Sequence, residues 1–199
     1  MSTTEKPTLA ARPGQAGIDP RGPRFGAGIT AVLLLTVIAV TLGTLDPSTT
    51  QVTLDDGRPN GESVTWNAIA LVPFSDRLVL PSTLLFAVLV ALFAWGAFAG
   101  IQRHPYGLVF KKLIRPRLAA PTELEDPAPP TFAQGVGFVI TLTGLVLHLA
   151  GIPYALVIAA SAAFIAAFLN SVFGYCLGCQ IYLLLVRAGI IRRKGATTA

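Results

Sequence analysis

The chain has 199 residues, of which 53% are apolar and 13% charged, with a formal net charge of +5 and a mean hydropathy of +0.65. A soluble domain carries roughly a quarter charged residues, so an ordinary water-soluble globule is excluded, and two cysteines exclude a disulfide framework. The basic excess alone would suit nucleic acid, but its placement along the chain follows a membrane boundary, and no nucleic-acid partner is expected.

Residues 1–24 are polar and rich in Pro, Gly and Thr, and read as a disordered tail. Arg21 and Arg24 stand directly before the first apolar run, about residues 25–45. That run is too long for a signal-peptide core and no clear A-x-A site follows, so it reads as a retained helix. Residues 46–77 form a polar segment with Asp46, Asp55, Asp56, Glu62 and Asp76. Within it QVTL, DDGRPNG and ESVTW read as strand, turn and strand of a short hairpin, and AIALVPF as a piece dipping into the interface. The second helix covers about residues 78–101. Pro81 is tolerated in its first turn, and Gly96 and Gly100 form a small-residue contact ridge.

In the loop 102–131, Leu108, Val109, Phe110, Leu113 and Ile114 alternate with Lys111, Lys112, Arg115 and Arg117. This pattern fits a short amphipathic helix on the membrane surface, ended by Pro116. The Pro-rich ELEDPAPP leads to a third helix at about 132–150, and GIP turns the chain into a fourth at 154–174 or longer. Continued to Arg187, that helix would be about 50 Å long, beyond the roughly 30 Å hydrocarbon core. Residues 192–199 are a basic tail. The expected fold is therefore an all-α membrane protein, with a four-helix membrane domain over 25–191.

Charge sets the expected orientation, because cytoplasmic segments carry excess Lys and Arg. Thirteen of the fifteen basic residues lie in the N-terminal tail, the 102–131 loop and the C-terminal region; Arg58 and Arg77 are the exceptions. Both termini and the amphipathic helix are thus expected in the cytoplasm, and the polar segment 46–77 outside it. Arg outnumbers Lys and Ala is abundant, as in GC-rich bacterial genomes, so the expected location is a bacterial cell (inner) membrane.

Cys176 and Cys179 lie in FGYCLGCQIY, at the expected cytoplasmic mouth of the fourth helix. The cytosol keeps ordinary thiols reduced, so a structural disulfide is not expected there. Two readings stand: a working thiol pair, or two small residues packing at a helix end. Gly174 and Gly178 would let the backbone leave helical geometry and bring the sulfurs together. A low-pKa thiolate needs positive neighbours; Arg21, Arg24, Arg103, Lys111 and Arg115 are candidates for that field, and the three arginines Arg21, Arg24 and Arg115 for holding an anion. Tetrahedral zinc wants four ligands, and Cys-x-x-Cys is followed by Gln180 rather than His, so neither metal nor cofactor is expected.

His104, in the turn HPYG, is at the cysteines' expected depth and is the candidate base, set against a plain turn histidine. His148 falls about 24 Å deeper along the third helix, in a stripe with Gln134, Gly137, Thr141 and Gly144 that marks helix packing. Asn170 lines up with Ala159, Ala163, Ala166 and Gly174, a stripe that on a regular helix points away from the cysteines.

Together PRGPRFGA, HPYGLVFKKLIRPRL, ELEDPAPPTFAQ and FGYCLGCQIYLLL resemble the bacterial membrane family known as domain of unknown function 4395, from about Ile18 to Leu185. The resemblance implies a small multi-pass protein with a C-x-G-C near its end, here Cys176, Gly178 and Cys179. It implies no established activity, but an association with thioredoxin-like and rhodanese-type sulfurtransferase proteins. Three functions remain in view. One is thiol-disulfide or persulfide handling with such a partner. Another is a small permease for a sulfur-containing anion, as an oligomer. The last is a non-catalytic subunit or scaffold of a larger membrane complex.

Overall fold

The protein is described from a computed structural model over residues 8–11, 16–43, 46–55 and 63–191. In chain order the elements are α1 (Arg21–Gly43), strands β1 (Gln51–Asp55) and β2 (Ser63–Asn67), α2 (Ala68–Leu71), α3 (Phe74–Val79), α4 (Pro81–Ala99), α5 (Pro105–Val109), α6 (Ala128–Leu149), α7 (Ala155–Phe173) and α8 (Leu177–Arg187). The expected tail at residues 1–7 and 12–15, the end of the first helix at 44–45, the hairpin turn at 56–62 and the basic tail at 192–199 lie outside the described residues.

Four helices, α1, α4, α6 and α7, are long and apolar enough to cross a membrane. Many of their large apolar side chains stay exposed, among them Val32, Val88, Phe98, Val139, Ile158 and Val172. In water such surfaces drive association; in hydrocarbon they are solvated. A lipid bilayer is the environment this chain fits.

Two of these helices start about four residues earlier than the apolar runs indicate, for the same reason. An Asp two residues ahead accepts a backbone N–H: Arg21 N donates to Asp19 Oδ1 at 3.0 Å and Ala128 N to Asp126 Oδ1 at 2.9 Å. Prolines then fill first-turn positions whose N–H has no helical partner anyway: Pro23 in α1, Pro129 and Pro130 in α6.

The described residues divide into two compact units. One draws on Met1–Ile29, Phe93–Val136 and Ala166–Ala199, the other on Thr30–Leu92 and Gly137–Ile165.

In the first unit the expected disordered tail is tied down where it is described. Ile18 and Glu125 exchange backbone hydrogen bonds of 2.8 and 2.9 Å, Ala11 N donates to Leu124 O, and Asp126 N to Leu9 O. Backbone pairing does what the tail's polar composition could not announce. The expected amphipathic helix is α5, continued by a π turn over Phe110–Ile114 and a 3₁₀ turn over Arg115–Arg117. Phe110 is buried while Leu108, Val109 and Leu113 are exposed. The Phe110 ring reaches α1 because Gly22 has no side chain; a Cβ there would lie 3.3 Å from it. Gly96 likewise meets Gln134, at 2.7 Å from an added Cβ. Gly100 takes no part in a ridge. It has φ +84° with open space around it, and it ends α4.

In the second unit β1 and β2 pair antiparallel, Gln51 opposite Asn67 through Asp55 opposite Ser63. The hairpin rests on a buried polar turn. Asp46 accepts from Ser48 N at 2.9 Å, from Ser48 Oγ at 2.6 Å and from Ser82 Oγ. Backbone bonds from Ala68 to Thr50, Ile69 to Pro47 and Tyr154 to Ser48 add to it. Arg77 Nη1 donates to Leu149 O at 2.8 Å, a cation at the negative end of α6. Phe86, Leu89 and Leu156 fill the core. Gly144 and Ala159 let α6 and α7 touch: a Cβ on Gly144 would lie 2.2 Å from the Ala159 Cβ.

That contact is testable. Gly144→Ala is expected to destabilise the protein by about 1–3 kcal/mol, the usual cost of overpacking. Adding Ala159→Gly should recover most of the loss in thermal unfolding in detergent. An unchanged Tm in the single variant would mean that the two helices are not in contact there.

Candidate functional site

The fourth apolar run does not continue as one helix. Gly174 has φ +66°, a left-handed conformation that costs a non-glycine residue about 1–2 kcal/mol. It ends α7, and α8 restarts three residues later. Cys176 is the N-cap of α8, in extended conformation, and Cys179 lies in its first turn. Cys179 N donates to Cys176 Sγ at 3.2 Å. The Cα atoms are 5.2 Å apart, within disulfide range, and the sulfurs are joined. A reducing compartment would leave the pair open, yet Cys176 at the cap and Cys179 three residues on, in the first turn, bring the sulfurs to bonding distance without distorting a helix. Cys179 is buried at 3% exposure, whereas Cys176 is half-buried.

Gly178, between the cysteines, is a packing position. A Cβ there would fall 2.5 Å from the Cβ of Ala133 on α6. Phe132 and Tyr182 stack beside it with ring centroids 5.6 Å apart. The C-x-G-C spacing therefore meets two demands: sulfurs three residues apart at a helix start, and a bare backbone where α8 crosses α6.

Both cysteines line a small cavity of about 60 Å³ with Arg24, Glu125, Gln134 and Asn170. The Arg24 guanidinium lies over Gly174, its Cζ 2.7 Å from where a Cβ would be. Arg24 lines the cavity together with Cys176, and the positive N-terminal end of α8, one of whose N–H groups is bonded to Cys176 Sγ, adds to it. Glu125 is half-buried in the same wall. Burial pushes its carboxyl above the usual range, against the opposite pull of Arg24.

The remaining sequence candidates fall elsewhere. His104 is buried at 2% exposure and caps α5, its Nδ1 accepting from Tyr106 N at 3.3 Å. It lines a neighbouring cavity rather than the one that holds the cysteines. Arg21 is bonded to Asp19 at 2.8 and 2.9 Å and to Ala119 O at 2.8 Å. That guanidinium holds the Asp19 carboxyl below its usual range. Arg115 lines the His104 cavity. Of the three arginines, only Arg24 lines the cysteine cavity. His148 belongs to the second unit, fully buried, with Nε2 2.9 Å from Thr83 Oγ1. Asn170 corrects its expectation. It lines the cavity of the cysteines because the turn at Gly174 brings them back past it, which a regular helix would not do. Glu125 was not singled out by sequence. Its one local signal is an acid shortly before the capping Asp126, and what gives it a role is pairing with Ile18, more than a hundred residues away.

The chain belongs to the family described as Domain of unknown function (DUF4395), whose family model matches residues 18–187. No curated protein and no solved structure matches the chain. The matched span takes in α1 to α8 and every residue of the cysteine cavity except Leu9.

Glu125 gives the site a pH signature. Its folded carboxyl is raised, so its stabilising share is full below the unfolded value of 4.5 and is lost as pH rises through the folded value. Glu125→Gln should flatten that part of the stability profile, read by thermal unfolding from about pH 4 to 8. Identical profiles for the two proteins would mean that Glu125 is as solvated as in the unfolded chain.

Proposed function

We propose that this is a multi-pass membrane thiol protein whose Cys176–Cys179 pair exchanges disulfide with a cytosolic partner, a thioredoxin-like or sulfurtransferase protein. The observation that carries the reading is the asymmetry of the pair. Cys176 is half-buried at the start of α8 beside Arg24, and Cys179 is buried behind it.

Thiol exchange attacks the sulfur within reach and expels the other. A partner thiolate attacks Cys176 Sγ, the Cys176–Cys179 bond breaks, and Cys179 leaves as a thiolate and takes up a proton. A second partner thiol then attacks the mixed disulfide. The partner departs oxidised, and Cys176 remains as thiol. The same atoms in reverse oxidise the pair. In the sulfur-carrying form, the Cys176 thiolate of the reduced pair attacks the outer sulfur of a partner persulfide, the partner's S–S bond breaks, the partner leaves as thiolate and Cys176 holds the persulfide. As a thiolate, Cys176 would be stabilised by Arg24 and by the N-terminal end of α8. The basic bias of 102–131 and of both termini supports a cytoplasmic site in a bacterial inner membrane. The exposed Leu108, Val109 and Leu113 support α5 and its continuation lying on the membrane surface.

Acid quenching of cells followed by mass-shift alkylation reads the pair directly. The expected result is a pair that moves between bonded and reduced forms under thiosulfate or oxidant, with Cys179→Ser trapping a partner on Cys176. In that variant Arg24→Gln should raise the pH of half-maximal Cys176 alkylation by about one unit. If the pair holds one state under every condition, and Cys→Ser variants keep full function, the subunit or permease readings replace this one.

A further inference from the structure

Beside the cysteine cavity lies a larger one of about 320 Å³ in the same unit. Pro23, Ile101 and Gln134 line both, so the two cavities adjoin. Gly22 and Gly26 of α1 are among the larger cavity's lining residues. Phe110 and Tyr106 close on those positions, at 3.3 and 3.5 Å from an added Cβ, and the space around them stays open. Its volume is in the range that holds organic ligands.

The charge of its wall selects among them. Lys111 and Arg115 line it. Asp19, the one acid among its described lining residues, is already bonded to Arg21. A mostly apolar lining that also carries two cations suits a flexible organic anion. The adjoining disulfide supplies a reason for that anion to carry sulfur.

We propose that this cavity binds a low-molecular-weight thiol bearing carboxylates, the small-molecule co-substrate of the Cys176–Cys179 pair. The proposal rests on the thiol-exchange reading. The carboxylates sit against Lys111 and Arg115, and the thiol reaches Cys176 past Pro23, Ile101 and Gln134. Its thiolate attacks Cys176 Sγ, the Cys176–Cys179 bond breaks, and Cys179 leaves with the proton the thiol gave up. A second thiol molecule attacks the mixed disulfide and releases the small disulfide and the Cys176 thiol. Two thiols are oxidised, one protein disulfide is reduced, and both protons end on the cysteines.

The test compares two reductants on the full-length protein in detergent: glutathione, which is anionic, and 2-mercaptoethanol, which is neutral. Reduction is followed by mass-shift alkylation against thiol concentration. The expected result is saturation with glutathione and simple first-order behaviour with 2-mercaptoethanol. Lys111→Ala with Arg115→Ala should raise the half-saturating glutathione concentration about tenfold, some 1.4 kcal/mol. The 2-mercaptoethanol rate should not change, and Lys111→Arg with Arg115→Lys should retain saturation. Equal effects on both thiols, or none on either, overturn the cavity assignment and leave thiol exchange standing. If neither thiol reduces the folded protein, thiol exchange itself fails and takes the assignment with it.

Discussion

With its φ at +66°, Gly174 turns the backbone out of α7 one residue after Phe173, and Arg24 covers the bare face of that turn. The rest of the site depends on this arrangement. A helix running on to Arg187 would keep every N–H near the cysteines inside its own ladder. It would also carry Cys176 away from Asn170. A break makes a new helix start, and a helix start has unpaired N–H groups. The chain places a cysteine at the cap, where one of those groups reaches its sulfur. A Cβ at residue 174 would meet both the backbone strain and the Arg24 guanidinium, so conformational and steric demands fall on the same residue.

Both units bury polar side chains. In the second, Asp46 is buried with three donors on its carboxylate, and His148 meets Thr83. A buried carboxylate satisfied in this way fixes a turn rather than reacting, since unmaking any of its bonds leaves a desolvated partner. In the first unit, Glu125 and Arg24 stand at a cavity together with two sulfurs. Polar groups there have space beside them.

The sequence disclosed what depends on runs and periods. Four apolar stretches became the four long helices, QVTL and SVTW fall in the two strands, and residues 108–117 hold the end of α5 and the π and 3₁₀ turns that follow it. Helix starts were less visible, because Asp19 and Asp126 with the prolines that follow extend α1 and α6 beyond their apolar cores. At the site, the cysteine pair and Arg24 could be named from local cues. Glu125 could not, since it enters through pairing between residues 18 and 125. Asn170 was misjudged because a stripe drawn on a regular helix takes no account of a turn at Gly174. His104 was read in two ways, and a buried ring accepting from Tyr106 N gives it a capping duty.

The mounting of α8 has a consequence for the energetics of the pair. Gly178 seated on Ala133, Tyr182 against Phe132, and the buried Leu183 hold the helix by its side chains. The disulfide spans three residues of a turn already fixed by that packing, and a loop so short constrains little chain entropy. Opening it would release two sulfur atoms without releasing the helix. Under the proposed thiol exchange, the backbone of α8 would stay where this packing holds it.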